Sequence, residues 1–217
     1  MTIATNTWSI KQWQNMFNGI YGERNKKCPS VYILLRLVEE VSEVALAVLE
    51  QNMKEIQTQI PDVLAWIFAF ANKHNLSLED FMVEKYAKSD GKGPSQVNLT
   101  VYISKREIPK TLNEWQRYLN RELFRNSNIN IIPIVIVIRI FQDVGDSCRI
   151  IRQKGEKGIK DIMYKLAAVF AWTLVLADKF ELDVAEITWG KYPNVCPKCA
   201  KNPCRCSYES FELYETR

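Results

Sequence analysis

Asp62-Val63-Leu64-Ala65-Trp66-Ile67-Phe68-Ala69-Phe70-Ala71-Asn72-Lys73 returns 106 residues later as Ala168-Val169-Phe170-Ala171-Trp172-Thr173-Leu174-Val175-Leu176-Ala177-Asp178-Lys179. Five of the twelve positions are identical, and Asp62 becomes Ala168. The packing residues recur while the acid does not. One copy is therefore expected to carry chemistry and the other to serve as scaffold.

The repeat reaches outward from this stretch. Trp13-Gln14 with Asn18 corresponds to Trp115-Gln116 with Asn120 at an offset of 102, and Lys85-Tyr86 to Lys191-Tyr192 at 106. A period of about 105 residues is a duplicated domain, since solenoid units are roughly 20 to 50 residues long. The expected division is a first repeat over 1–90, a linker over 91–110, a degenerate second repeat over 111–192, and a cysteine-bearing tail over 193–217.

Within the first repeat, helices are expected around Ser9 to Tyr21, Val31 to Gln51, Asp62 to His74 and Ser77 to Tyr86. Leu34, Leu37, Val41, Val44, Ala45 and Val48 recur at three and four residues, the spacing of one apolar helix face. Ser77 followed by Asp80 resembles a capping box with Asp in place of Glu or Gln. Ile131-Ile132-Pro133-Ile134-Val135-Ile136-Val137-Ile138 is β-branched and would suit a strand in isolation; it is assigned to a helix because its counterpart is helical. Between the repeats, Gly91, Gly93 and Pro94 precede the alternating Val97, Leu99, Val101 and Ile103, a linker with one short extended segment. The expected fold class is all-α, with two helical repeats paired as an intramolecular pseudo-dimer.

At 217 residues and 47% hydrophobic, the chain can bury one substantial core or two small joined ones. A net charge of +4, from 29 basic and 25 acidic residues dispersed along the chain, does not argue for nucleic acid. Met1 to Trp13 lacks the apolar run of a signal peptide. The apolar stretches Asn130 to Phe141 and Leu166 to Ala177 are shorter than the roughly 20 residues of a spanning helix. A soluble, cytoplasmic protein without a membrane partner is expected.

Glu40 and Glu43 lie one turn apart in Leu37-Val38-Glu39-Glu40-Val41-Ser42-Glu43-Val44, so their carboxylates can converge on one cation. Asp62 opens the apolar run of the next helix. If these helices pack antiparallel, three or four oxygens meet, a setting suited to Mg²⁺ or Mn²⁺. A solvated acidic face is the competing explanation. The corresponding second-repeat positions read Gln142, Asp143, Asp146, Lys165 and Ala168, and a lysine there would repel a metal.

Glu-Glu-x-x-Glu followed by x-x-Asp at the next helix resembles the MazG-like, all-α nucleoside triphosphate pyrophosphohydrolases. The resemblance covers most of both repeats, and the family includes dUTPases in which a degenerate second half packs on an active first half. It implies Mg²⁺-dependent cleavage of a nucleoside triphosphate between its α and β phosphates. Carried over by position, Glu40, Glu43 and Asp62 become metal ligands, and Glu39 a further ligand or a base. Gln59 stands where the family has a fourth Glu, and can coordinate through its carbonyl oxygen with one less negative charge. Glu55 is one turn earlier, and Pro61 would distort or start the helix. Lys85 matches the basic residue of the fourth helix, a phosphate contact, while Ser89 replaces the Asn that follows it.

Trp13 and Trp66 could stack on a base, although both recur as Trp115 and Trp172, which favours packing. Asn25, Lys26 and Lys27, without clear counterparts, are candidate substrate contacts. His74 aligns with Phe180 and suits a helix end.

Cys196, Cys199, Cys204 and Cys206 offer four thiols in eleven residues, the ligand set of a structural tetrahedral Zn²⁺ site; Cys28 and Cys148 stand apart. Such a knuckle could pin the end of the last helix, or touch nucleic acid through Lys198, Lys201 and Arg205. Three functions follow: a pyrophosphohydrolase, a non-catalytic nucleotide-binding or regulatory protein, and a zinc-dependent nucleic-acid adaptor. Association of two pseudo-dimers into a homodimer stays open.

Overall fold

Ser9 opens the first helix with a capping box: the Gln12 N–H donates to Ser9 Oγ (3.2 Å) and the Ser9 N–H to Gln12 Oε1 (2.8 Å). This satisfies two backbone donors that a helix start otherwise leaves bare. Thr111 and Glu114 build the same device at the start of the fifth helix. The computed structural model describes residues 7–87, 108–123 and 131–207, and every regular element among them is helical, as expected for an all-α protein. Ser89, the glycines and proline of the linker, its alternating Val97 to Ile103 segment and the tail beyond residue 207 lie outside the described residues.

The first half comprises α1 (Ile10–Lys27), α2 (Ser30–Leu49), α3 (Met53–Lys73) and α4 (Leu78–Met82), which runs on into a π turn, Val83–Ala87. The second comprises α5 (Leu112–Tyr118) with the π turn Leu119–Leu123, α6 (Pro133–Lys154), α7 (Ile159–Lys179) and α8 (Val184–Lys191). A 3₁₀ turn, Gly155–Gly158, joins α6 to α7, and Gly155 takes the positive φ of 55° that ends α6.

Three boundaries differ from the sequence expectation: α1 runs past Tyr21 to Lys27, and so takes in Asn25, Lys26 and Lys27. α3 starts at Met53 rather than Asp62, because Asn52 caps it and Pro61 sits inside it. Proline frees the carbonyl four residues back, and that residue, Gln57, is exposed. The β-branched run is helical only from Pro133, whose fixed φ and missing N–H suit the first helical position.

Packing places α2 along α3, α6 along α7, α2 against α6 and α3 against α7. α1 covers α3. The short fourth helices cross over: α4 lies on α7 of the second half, and α8 on α3 of the first. One apolar cluster runs through both halves, with Phe68 between Phe17 (centroids 5.3 Å) and Phe170 (5.8 Å), all three buried. Truncating such a ring to Ala typically costs about 3–5 kcal/mol. No described helix is long and apolar enough to cross a membrane.

Buried Gln14 fixes where α4 starts. Its Nε2 donates to the Leu76 carbonyl (2.7 Å), and its Oε1 accepts the Leu78 N–H (3.0 Å). Gln116 makes the same pair of bonds, to the Leu182 carbonyl (2.7 Å) and from the Val184 N–H (3.2 Å), at the start of α8. Asn75 and Glu181, 106 residues apart, both take left-handed backbone (φ 53° and 56°) just beyond α3 and α7.

Candidate active site

α2 turns Glu40 inward and leaves Glu39 and Glu43 exposed. Glu40 is 5% exposed and accepts from Trp66 Nε1 (3.2 Å) and Arg36 Nη2 (3.1 Å). Burial, then the negative charge of Asp62, push its carboxyl up to about 7; the Arg36 guanidinium opposes the rise and Glu43 adds to it. Arg36 also pairs with Glu39 at the surface.

Asp62, on α3, has 16% of its side chain exposed. Its carboxylate accepts from Lys191 Nζ at 2.5 Å and from the Tyr192 hydroxyl, so both partners come from the end of α8. Lys191 Nζ also donates to the Thr58 carbonyl (2.9 Å). Gln59, one turn before Asp62, donates through Nε2 to Glu55 (3.3 Å), whereas its Oε1 is buried with no hydrogen-bond partner. These are oxygen donors beside a carboxyl whose ionisation is resisted by burial first and by its acidic neighbours second. Oxygen donors of this kind are the chemistry a hard divalent cation takes, and the Gln59 carbonyl is an orphaned acceptor one turn from Asp62. The acids do not crowd together: among the described residues, only the four tail cysteines form a set of three or more whose ligand atoms all lie within 4.8 Å of one another.

Trp66 is half-buried beside Glu40. The guanidinium groups of Arg24 and Arg36 lie 5.6 Å from its ring, and Tyr32 meets it edge-on at 6.2 Å. Trp13 is elsewhere, fully buried and T-shaped against Trp8 (5.2 Å), so it has no face to offer a base. Asn25 is 2% exposed with its Oδ1 unpartnered, while Lys26 pairs with Glu23 at the surface. His74 caps α3, bonding to Ser30 Oγ (3.0 Å), which donates to Glu156 (2.9 Å).

Lys85 does not meet the acids of its own half. It donates to the Tyr164 carbonyl on α7 (2.9 Å), and burial lowers its pKa to about 8 against the pull of Asp143. On that side Lys165 bridges Asp143 (3.2 Å) and Asp146 (2.7 Å), and Ala168 stands 106 residues after Asp62. One ammonium spans both carboxylates, and Arg149 supplies a second cation to Asp146 (2.6 Å).

No disulfide joins the tail cysteines. Sγ atoms of Cys196 and Cys206 are 3.8 Å apart, and those of Cys199 and Cys204 are 3.9 Å apart. Tetrahedral zinc with Zn–S bonds of ~2.3 Å separates its sulfurs by about 3.8 Å, so the geometry fits that ion. Cys196 lies near 6: burial raises it, but bonds from the Tyr21 hydroxyl and the Cys199 and Lys198 backbone outweigh that. The cluster docks on α1, where the Cys204 N–H donates to the Ile20 carbonyl (2.8 Å).

Lys191, Tyr192, Arg36 and Arg24 stand at this site without having been assigned to it from the sequence. Arg36, four residues before Glu40, carried a readable ion-pair spacing. Lys191 and Tyr192 were visible only as the second occurrence of Lys85-Tyr86.

The family model of the MazG nucleotide pyrophosphohydrolase domain matches residues 30–95, which include α2, α3 and α4. That stretch holds Glu39, Glu40, Glu43, Gln59, Asp62, Trp66 and Lys85. Comparison with the curated proteins and with the solved structures gave no match. The chain is MazG-like over the matched stretch, which at family level supports a hydrolase of the nucleotide pyrophosphohydrolase type.

Proposed function

We propose, from a first half that is MazG-like, that the protein is a Mg²⁺-dependent nucleoside triphosphate pyrophosphohydrolase, cleaving between the α and β phosphates to a monophosphate and pyrophosphate. The observation that carries this reading is Glu40: a buried carboxyl pushed up to about 7 by burial, Asp62 and Glu43, inside the matched stretch. Holding such a group ionised is costly even with the Arg36 guanidinium beside it, and a bound divalent cation would offset that cost.

Glu40, Glu43, Asp62 and the Gln59 carbonyl would hold the metal, with Glu39 beside them. When bound, the metal supplies a water of lowered pKa and stabilises charge on the leaving pyrophosphate. The chain's own part is positioning. Trp66 and Arg36 aim the Glu40 carboxylate, Tyr192 aims Asp62, and the Trp66 ring with Tyr32 and Arg24 offers an aromatic, cationic wall for a nucleotide.

The second half belongs to the same proposal as a degenerate repeat that completes the bundle. The matching roles of Gln14 and Gln116 support it, as does Lys165 seated on Asp143 and Asp146. Zn²⁺ in the four-cysteine cluster would pin the tail to α1.

Pyrophosphate release from a panel of canonical and modified nucleoside triphosphates, with Mg²⁺ or Mn²⁺, tests the activity. Asp62→Ala should abolish release while leaving the helical circular dichroism intact. A second reading, nucleotide binding without turnover, draws on Gln59 and on Asp62 being engaged by Lys191. Tight nucleotide binding with no pyrophosphate from any substrate would favour it.

A further inference from the structure

A lysine in the π turn after α4 and the last residue of α8 each reach the third helix of the other half. Lys85 Nζ donates to the Tyr164 carbonyl and Lys191 Nζ to the Thr58 carbonyl, both at 2.9 Å. Both lysines and both acceptors are separated by 106 residues. One difference bears on the lysines directly. Beyond Tyr164 the α7 face presents Ala168; beyond Thr58 the α3 face presents Asp62, and Lys191 holds that carboxylate at 2.5 Å.

From this difference we infer that Lys191, a residue of the second half, is the phosphate-binding cation of the first half's acidic site, held in reserve on Asp62 until a divalent cation takes that carboxylate. The inference rests on the pyrophosphohydrolase reading and adds a residue outside the matched stretch to the site. An ammonium has three donors. The Thr58 carbonyl keeps one, which tethers the group at the rim of the site; the Asp62 carboxylate takes a second. A divalent cation on Asp62 would repel the ammonium and withdraw its anionic partner. With only 22% of its side chain exposed, Lys191 would then favour an anion within reach of its flexible stem. The phosphates of a metal-bound nucleotide are such an anion. Tyr192 keeps its hydroxyl on Asp62, and its ring packs on Phe17 (5.1 Å) and Tyr21 (6.2 Å), so the carboxylate stays aimed as the lysine departs.

The role demands two effects of opposite sign in one variant. With the full chain, Mn²⁺ titration followed by inorganic tripolyphosphate titration at saturating Mn²⁺ is measured for wild type and Lys191→Met. The variant should bind Mn²⁺ more tightly, because no ammonium competes for Asp62. It should bind tripolyphosphate roughly tenfold to a hundredfold more weakly, the range for one charge-assisted hydrogen bond. Lys191→Arg should restore part of the tripolyphosphate affinity. If Lys191→Met does not fold, Lys191→Gln keeps a donor for Thr58 without charge and is judged by the same two signs. Unchanged tripolyphosphate binding, or weakening of both ligands together, overturns the inference while wild-type turnover leaves the underlying reading standing. A wild type that neither binds Mn²⁺ nor releases pyrophosphate overturns both.

Discussion

The Tyr192 hydroxyl donates to the Asp62 carboxylate, 130 residues earlier in the chain, so the end of the second half fixes an acid of the first. The ring and the hydroxyl of Tyr192 have separable jobs, since Phe17 and Tyr21 hold the ring while only Asp62 takes the hydroxyl. Tyr192→Phe is therefore expected to lower pyrophosphate release by about tenfold, the value of one lost hydrogen bond to a charged group. Thermal stability should shift by only about 1 kcal/mol. A variant that loses stability and activity in proportion would show that Tyr192 merely packs.

Gln59 supports a sharper expectation. Its Oε1 is buried and unpartnered, one turn from Asp62. If that oxygen faces the cation, Gln59→Glu adds a negative charge to the set and should tighten Mn²⁺ binding by at least about tenfold. In the metal-free state the same change should destabilise the fold, because a buried carboxylate without a partner is worse than a buried amide. Calorimetric Mn²⁺ titration and thermal melts with and without the ion measure both halves of this expectation. Unchanged Mn²⁺ affinity would place Gln59 off the site.

Much of this arrangement was legible in one dimension. Leu34 to Val48 showed the buried face of α2 by spacing alone, and Cys196-x-x-Cys199 with Cys204 and Cys206 announced a cluster that does gather. Local signals misled only where a rule had a local exception. Pro61 suggested a distorted helix or a helix start, and α3 passes through it because the freed carbonyl belongs to exposed Gln57. The partners of the acids were another matter. Lys85 was read as a phosphate contact through its place in the fourth helix, and the structure seats it on Tyr164 of the other half, with Lys191 on Asp62. No period or spacing shows that exchange, because it follows from how α4 and α8 cross onto opposite halves, a consequence of packing between distant segments.

The four-cysteine cluster should matter to Asp62 at a distance. It follows Tyr192 directly, binds the Ile20 carbonyl through the Cys204 N–H, and hydrogen-bonds to Tyr21, against which Tyr192 packs. Cys199→Ser removes one thiolate ligand. With zinc bound there as proposed, wild type should carry about one zinc per chain by atomic spectroscopy, and the variant should lose it, melt at a lower temperature, and show weaker pyrophosphate release at temperatures where the helices remain folded. Zinc lost with no change in turnover would mean that the clamp and the acidic site are independent.

Lys85 sets a pH dependence whose sign can be worked out. Its pKa is about 8 in the folded protein against an ordinary 10.5, with burial as the leading cause. Below pH 8 the ammonium is charged in both states, and burying it costs stability throughout. Between 8 and 10.5 the folded state has released a proton that the unfolded chain still holds, so stability rises with pH across that window. Above 10.5 both states are neutral and the cost is gone. Lys85→Met carries no such term. Urea unfolding at pH 7.5, 9 and 10.5 should show wild type gaining on the variant with rising pH, by of order 2 kcal/mol over the window. Subtracting the variant cancels the titration of every other group. A difference that stays constant with pH would mean that the Lys85 ammonium keeps its ordinary pKa, with Asp143 offsetting its burial in full.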